Sequence, residues 1–178
     1  MILVTLILGT GINFIHNWHM WQGAIGVISE KDYLKKYVWS YNIIDYANHN
    51  LPAGSKIVLW NWVIEGYYLN HDYLFGNPTD QGYINYTQYV DQKELLQDWR
   101  RKSITHIIWD KEAWPEDIQR APHNESPLVQ QYYALRFQML NGGFLRLVYQ
   151  NQETRFAAKT LGRGARSAEV ALLEVIYP

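Results

Sequence analysis

The chain of 178 residues contains no cysteine, so disulfide bonds, cysteine-ligated zinc and thiol catalysis are excluded. It is also poor in charge. Charged residues make up 19% of the chain, against about a quarter in average usage, and the formal net charge is −1. Nucleic-acid binding normally requires a basic patch or stripe. A nucleic-acid partner is therefore not expected.

Charge is absent altogether from residues 1–29, MILVTLILGTGINFIHNWHMWQGAIGVIS. The apolar run at its start is shorter than the roughly 20 residues of a membrane-spanning helix, and it lacks the basic region and cleavage site of a signal peptide. Phe14, Trp18 and Trp21 recur at i, i+4, i+7, which puts amphipathic rings on one helical face. We interpret residues 1–22 as the end of a truncated transmembrane or interfacial helix. The alternative is an N-terminal helix packed on the domain's own core.

The motifs of common catalytic and cofactor sites are also missing. There is no G-x-S-x-G nucleophile motif, and Gly162–Gly164 lacks the spacing of a phosphate-binding loop. His16 and His19 are spaced as two ligands on one helix, but no third metal ligand is identifiable. The sequence therefore predicts no catalytic residue, no cofactor and no metal site.

Hydrophobic periodicity in the first half predicts a helix, a strand, a second helix and a second strand. The first helix has Ser29 as N-cap and extends to Asn48–Asn50, before Pro52. Residues 56–62, KIVLWNW, and 104–110, ITHIIWD, have the composition of buried strands. Between them, Asp91 and Glu94 have the spacing of a capping box. A strand, a crossover helix and a strand predict a parallel pair.

The second half continues with a helix and two closing strands. Ser126 is the predicted N-cap and Pro127 the first helical residue. The predicted apolar face of this helix comprises Leu128, Tyr132, Leu135 and Met139. Residues 144–152 and 168–178 are predicted strands. The order β, α, β, α, β, β indicates that residues 23–178 form one small α/β domain with a mixed, partly parallel sheet flanked by helices.

One segment between the first strand and the second helix is unusually aromatic. This tyrosine-rich stretch, residues 66–91, contains six of the 14 tyrosines and no Lys or Arg. It follows a predicted strand, and α/β sheets tend to bind ligands at the carboxyl ends of their strands. As a binding surface, it would have the rings of Tyr67, Tyr73 and Tyr83 on an open groove near the end of the first strand, with Asp80 and Gln81 at its rim. The alternative is that the tyrosines cover the sheet.

Four short motifs occur in a characteristic order. The chain has S-x-x-x-Y-L at 29–34, L-P-x-G-x-K at 51–56, G-Y-Y-L-x-x-x-Y at 66–73 and T-H at 105–106. In this order and spacing, residues 23–112 resemble the C-terminal extracytoplasmic domain of GT-C membrane glycosyltransferases, of the dolichyl-phosphate-mannose mannosyltransferase and aminoarabinose-transferase type.

The resemblance implies an accessory domain of a polytopic membrane enzyme that transfers a sugar from a polyprenyl-phosphate donor. The domain would lie on the extracytoplasmic face, periplasmic or extracellular. In that family the catalytic carboxylate and the donor site belong to the membrane part, so the chain is expected to be inactive alone. The implied partners are the membrane-embedded part of the same enzyme, the lipid bilayer and a polyprenyl-phosphate sugar or glycan acceptor.

The chain departs from the family pattern at two places. Ile64–Gly66 lacks the arginine usual before the tyrosine pair, and Lys102–Ser103 replaces a glycine. Two other functional classes therefore stay open. One is a soluble carbohydrate- or peptide-binding α/β module. The other is a small hydrolase using Asp72 or Glu65 with His71, whereas His106 has the setting of a structural histidine inside a strand.

Overall fold

The computed structural model describes residues 22–38, 40–60, 63–78, 84–110, 126–154 and 167–178. The chain divides into two units, Met1–Val38 and Trp39–Pro178. Nearly all of the predicted membrane or interfacial segment lies outside the described residues. Across the described ranges, no helix has both the length and the apolar character needed to cross a bilayer.

The second unit is built on a five-stranded mixed sheet, which confirms the α/β class. The strands are β1 (Lys56–Leu59), β2 (Asp72–Phe75), β3 (His106–Asp110), β4 (Leu145–Thr154) and β5 (Ser167–Val175). Their order across the sheet is β2-β1-β3-β5-β4. Strand β1 pairs in parallel with both β2 and β3, and β5 is antiparallel to β3 and β4. The predicted parallel pairing of the first strand with the ITHIIWD strand is therefore confirmed.

Helices cover both faces of the sheet. Helix α1 (Glu30–Tyr37) belongs to the first unit, and α2 (Tyr41–Asn50), α3 (Gln92–Arg101) and α4 (Pro127–Asn141) belong to the second. Side chains alternate between the faces of a strand. Ile57 and Leu59 of β1 accordingly join the apolar cluster around α2, whereas Val58 joins the cluster around α3 and α4.

The starts of α1, α3 and α4 are set by local side-chain caps, as predicted. The Ser29 side chain accepts a hydrogen bond from the Asp32 amide at the start of α1. The Asp91 carboxylate accepts from the amides of residues 93 and 94 at the start of α3, and Ser126 accepts from the Val129 amide at the start of α4. The Glu94 carboxylate accepts from the Val90 amide, one residue earlier than in a standard capping box.

The prediction of one continuous helix from Ser29 to Asn48–Asn50 is wrong. Helix α1 ends at Tyr37 and α2 begins at Tyr41. Between them, Ser40 has φ 61°, a left-handed conformation that interrupts a right-handed helix. The apolar pattern continues through both helices, so it contains no signal of the break.

Strand β2 was not predicted, and strand β1 ends at Leu59, earlier than the predicted residue 62. Strand β2 lies within the tyrosine-rich stretch and pairs only with β1, at one edge of the sheet. Its residue Asp72 is exposed and the other three are half-buried. An edge strand has a neighbouring strand on one side, so its side chains remain partly exposed.

We expect Asp91→Ala to lower the free energy of unfolding by about 1 kcal/mol, because α3 would lose the acceptor for its first amides. Asp91→Asn keeps a side-chain acceptor and is the control. Urea unfolding monitored by tryptophan fluorescence measures both variants. Equal stability of Asp91→Ala and Asp91→Asn would contradict the capping role.

Candidate functional site

The tyrosine-rich stretch is divided between the two faces of the sheet. Tyr68 and Tyr73 are partly buried and pack against the α2 cluster, whereas Tyr86 and Tyr89 are buried in the cluster with α3 and α4. Tyr67 differs from all of these, because it is 85% exposed. Of the tyrosines of this stretch that the structure describes, four therefore cover the sheet and Tyr67 is open to solvent.

Tyr73 is a packing residue. It lies in β2 opposite Ile57, the second residue of β1, and its ring contacts the Phe75 ring edge-on at a centroid distance of 5.3 Å. The ring also lies against Gly66, where an added Cβ would come within 2.5 Å of it. Tyr73 is therefore not at the carboxyl end of β1, where the groove was expected.

Tyr67 lies on a segment that is firmly attached to α2. It belongs to a 3₁₀ helix, Val63–Tyr68, that connects β1 to β2. The Asn48 side chain donates to the Tyr68 carbonyl at 2.9 Å and accepts from the Asn70 amide at 2.8 Å. The Tyr67 ring contacts the neighbouring Tyr68 ring edge-on at 5.3 Å. Its backbone is fixed while its ring is presented to solvent.

Tyr67 thus lies in the crossover and Tyr73 in the strand that follows it, and the two side chains have different environments. The other candidate contact residues, Asp80, Gln81 and Tyr83, lie outside the described residues, as do His16, His19 and Gly162–Gly164.

A buried arginine lies near the carboxyl end of β1. Arg136 of α4 is 2% exposed. Its guanidinium carbon is 5.1 Å from the ring centroid of Trp60, which directly follows β1, and 5.6 Å from that of Tyr132. Its Nη1 donates a 2.8 Å hydrogen bond to the Tyr132 hydroxyl. Because arginine stays charged in proteins, the two rings stabilise a buried cation by cation–π attraction.

The same aromatic cluster closes over the end of β2. The Tyr86 hydroxyl donates to the Gly76 carbonyl at 2.6 Å, and the Tyr86 ring is 4.9 Å from that of Tyr132. Burial raises the pKa of Tyr86 well above its ordinary value of 10, so the hydroxyl remains a donor. A Cβ at Gly76 would lie 2.4 Å from Trp60. The close packing leaves no space there for a larger residue.

Arg136 was not predicted to be buried, although its position in the helix pattern indicates it. Tyr132, Leu135 and Met139 are buried, which confirms the predicted apolar face of α4, while Leu128 is partly buried. Arg136 follows Tyr132 by four residues and therefore lies on the same face. A charged residue at such a position is the signal for a buried cation.

Among the described side chains, the acid–base candidates show no catalytic pair. The His71 Nε2 is 3.1 Å from the Ala47 carbonyl, and Asp72 is exposed. His106 is 8% exposed, and its Nδ1 is 2.8 Å from Thr105 Oγ1, which agrees with the predicted structural role. The side chain of Glu65 lies outside the described part of the chain. Among the side chains that are described, no group of three or more His, Asp or Glu is arranged to hold a metal ion.

No family model, curated protein or solved structure matches this chain. The functional interpretation therefore depends on the side chains themselves.

We expect Tyr73→Ala to reduce the free energy of unfolding by about 2–4 kcal/mol, because it removes a ring packed on Gly66 and Phe75. Tyr67→Ala is the matched control and should change it by about 0.5 kcal/mol or less. Thermal unfolding of the two variants checks this. A small change in the free energy of unfolding of Tyr73→Ala would instead favour an open groove at Tyr73.

We expect Arg136→Ala to lower the free energy of unfolding by about 2–4 kcal/mol. The substitution removes the cation–π contacts, the hydrogen bond to Tyr132 and the packing of the side-chain stem. Arg101→Ala is the control, since the Arg101 side chain is 77% exposed and pairs with Asp98 at the surface. Its expected cost is about 0.5 kcal/mol. Similar denaturation midpoints for the two variants would refute a structural role for the buried cation.

Proposed function

We propose that this chain is an accessory extracytoplasmic domain of a GT-C membrane glycosyltransferase that uses a polyprenyl-phosphate sugar donor. It does not transfer sugar alone. Its partners are the membrane-embedded part of the same enzyme, the lipid bilayer and the sugar-bearing donor or acceptor. The observation that carries the proposal is the exposure of Tyr67 on an ordered segment.

Tyr67 differs from its neighbours in the motif G-Y-Y-L-x-x-x-Y. Gly66 is in contact with the Tyr73 ring, and Tyr68, Leu69 and Tyr73 pack against the α2 cluster. Each of these residues has a packing role within the domain. Among the described residues, Tyr67 has an edge contact with Tyr68, and it is 85% exposed. A tyrosine with an apolar ring and a polar tip suits a surface that meets a partner or a sugar.

The two described histidines among the acid–base candidates have structural settings. A general base must reach a proton of the substrate by a hydrogen bond and have a pKa near the working pH. His106 is buried in β3, and His71 is bonded to the backbone of α2. Neither is part of a pair with a described carboxylate in an open site.

The second candidate is a soluble carbohydrate-binding module, and the same exposed ring favours it. An aromatic face can stack on a sugar ring without help from a membrane part. The two candidates differ in whether the isolated domain binds a glycan. Nuclear magnetic resonance titration with soluble glycans separates them, because Tyr67-dependent shifts in the isolated domain would favour the module.

In the complete membrane enzyme, we expect Tyr67→Ala to lower kcat/KM for sugar transfer about tenfold, equivalent to about 1.4 kcal/mol, without altering the stability of the domain. Val90→Ala is the control, because Val90 is 80% exposed but lies outside the four motifs. It should leave transfer unchanged. Sugar transfer by the purified 178-residue chain alone, or unchanged transfer by Tyr67→Ala, would contradict the proposal.

A further inference from the structure

One short surface segment has the sequence of an N-linked glycosylation site. Residues 85–87 are Asn-Tyr-Thr, which matches the acceptor pattern N-x-[ST] with a residue other than proline in the middle. A pattern of three residues is common by chance, so the match alone carries little weight. The structure adds two observations, namely the exposure of these side chains and their position relative to each other.

Buried and exposed residues alternate along this segment. Ile84 and Tyr86 are buried in the cluster with α3 and α4, and the Tyr86 hydroxyl donates to the Gly76 carbonyl. Asn85 and Thr87 are exposed. The segment is therefore fixed to the domain by two side chains, while a bulky group added to Asn85 would extend into solvent without displacing a core residue.

The Asn85 and Thr87 side chains are hydrogen-bonded to each other. Thr87 Oγ1 donates to Asn85 Oδ1 at 2.7 Å, and the Thr87 amide donates to the same oxygen at 3.2 Å. Asn85 thereby caps the short 3₁₀ helix Tyr86–Gln88. Both bonds use the carboxamide oxygen, and no described residue accepts a hydrogen bond from Asn85 Nδ2. The nitrogen that would carry a glycan is thus available.

This arrangement suits an enzyme that recognises the hydroxyl group and modifies the carboxamide. Such an enzyme has to contact both groups at the same time, which requires them to lie close together. The 2.7 Å bond between Thr87 and Asn85 satisfies that condition on the exposed side of the segment.

We propose that Asn85 is an N-glycosylation site. The donor is a polyprenyl-diphosphate oligosaccharide, and the catalyst is an oligosaccharyltransferase on the extracytoplasmic face of the membrane. Asn85 Nδ2 attacks the anomeric carbon of the first sugar, so that a bond from this carbon to nitrogen forms as its bond to the phosphate oxygen breaks. The polyprenyl diphosphate leaves with that electron pair, and the nitrogen gives up one proton to a base of the transferase.

Two other asparagines have serine or threonine two residues later. Asn77-Pro78-Thr79 is excluded by its central proline. Asn124 lies outside the described residues, and the Ser126 side chain of that match accepts from the Val129 amide as the N-cap of α4. The contact between hydroxyl and carboxamide that supports the proposal is therefore described at Asn85.

The inference rests on the extracytoplasmic location in the proposed function, because the glycan is added on that side of the membrane. Expression of the full 178-residue chain behind a secretory leader in a eukaryotic host tests the site itself, since the leader supplies this location. We expect glycopeptide mass spectrometry to find a glycan on Asn85, and peptide-N-glycosidase to remove it. Thr87→Val, which lacks the hydroxyl, should abolish the modification, whereas Thr87→Ser should keep it.

Asn85→Asp is the control for folding. It keeps an oxygen that caps the 3₁₀ helix but has no Nδ2, so it should be secreted with an unchanged unfolding midpoint and carry no glycan at this position. The proposal is overturned if Asn85 of the unmutated chain is unmodified, if the glycan is found only on Asn124, or if Thr87→Val keeps the glycan on Asn85. These outcomes leave the proposed function untouched, whereas unchanged sugar transfer by Tyr67→Ala contradicts that function and not this site.

Discussion

The parallel pairing of β1 with both β2 and β3 is the constraint on which the rest of this domain depends. Parallel neighbours require the chain to return across the sheet between them. The first return is the segment from β1 to β2, which contains the 3₁₀ helix and packs beside α2. The second is the segment from β2 to β3, which contains α3 and packs on the opposite face of the sheet. Because the tyrosine-rich stretch takes part in both returns, its rings cover both faces.

The two ends of the sheet consequently have different chemistry. Near the carboxyl end of β1, aromatic rings surround the buried Arg136 and pack tightly around Trp60 and Gly76. At the amino edge, His106 of β3 lies opposite Glu174 of β5, and the Glu174 carboxylate accepts a hydrogen bond from Arg146. The first arrangement stabilises a buried charge with aromatic rings, whereas the second pairs opposite charges nearer the surface. Tyr67 belongs to the crossover that connects these two regions, and its ring is 85% exposed.

Features set by neighbouring residues were predicted well from the sequence. The caps at Ser29, Asp91 and Ser126 depend on side chains that bond to amides two or three residues away, so a local pattern contains the necessary information. The buried strands that begin at Lys56 and His106 have enough β-branched and aromatic residues to be recognised. The break at Ser40 and the edge strand β2 have no comparable local signal, because each depends on what the segment packs against.

By itself, the sequence determined the α/β class, the starts of α1, α3 and α4, the parallel pairing of β1 and β3, and the concentration of tyrosines in one stretch. Tertiary structure alone decided which tyrosines are covered and which is open, since Tyr67 and Tyr68 are adjacent and chemically identical. It also brought Arg146 to Glu174 and Arg136 to Trp60, which are far apart in the chain. The physical reason is that burial and electrostatic interaction depend on distance in space, and only the pairing of distant strands sets that distance.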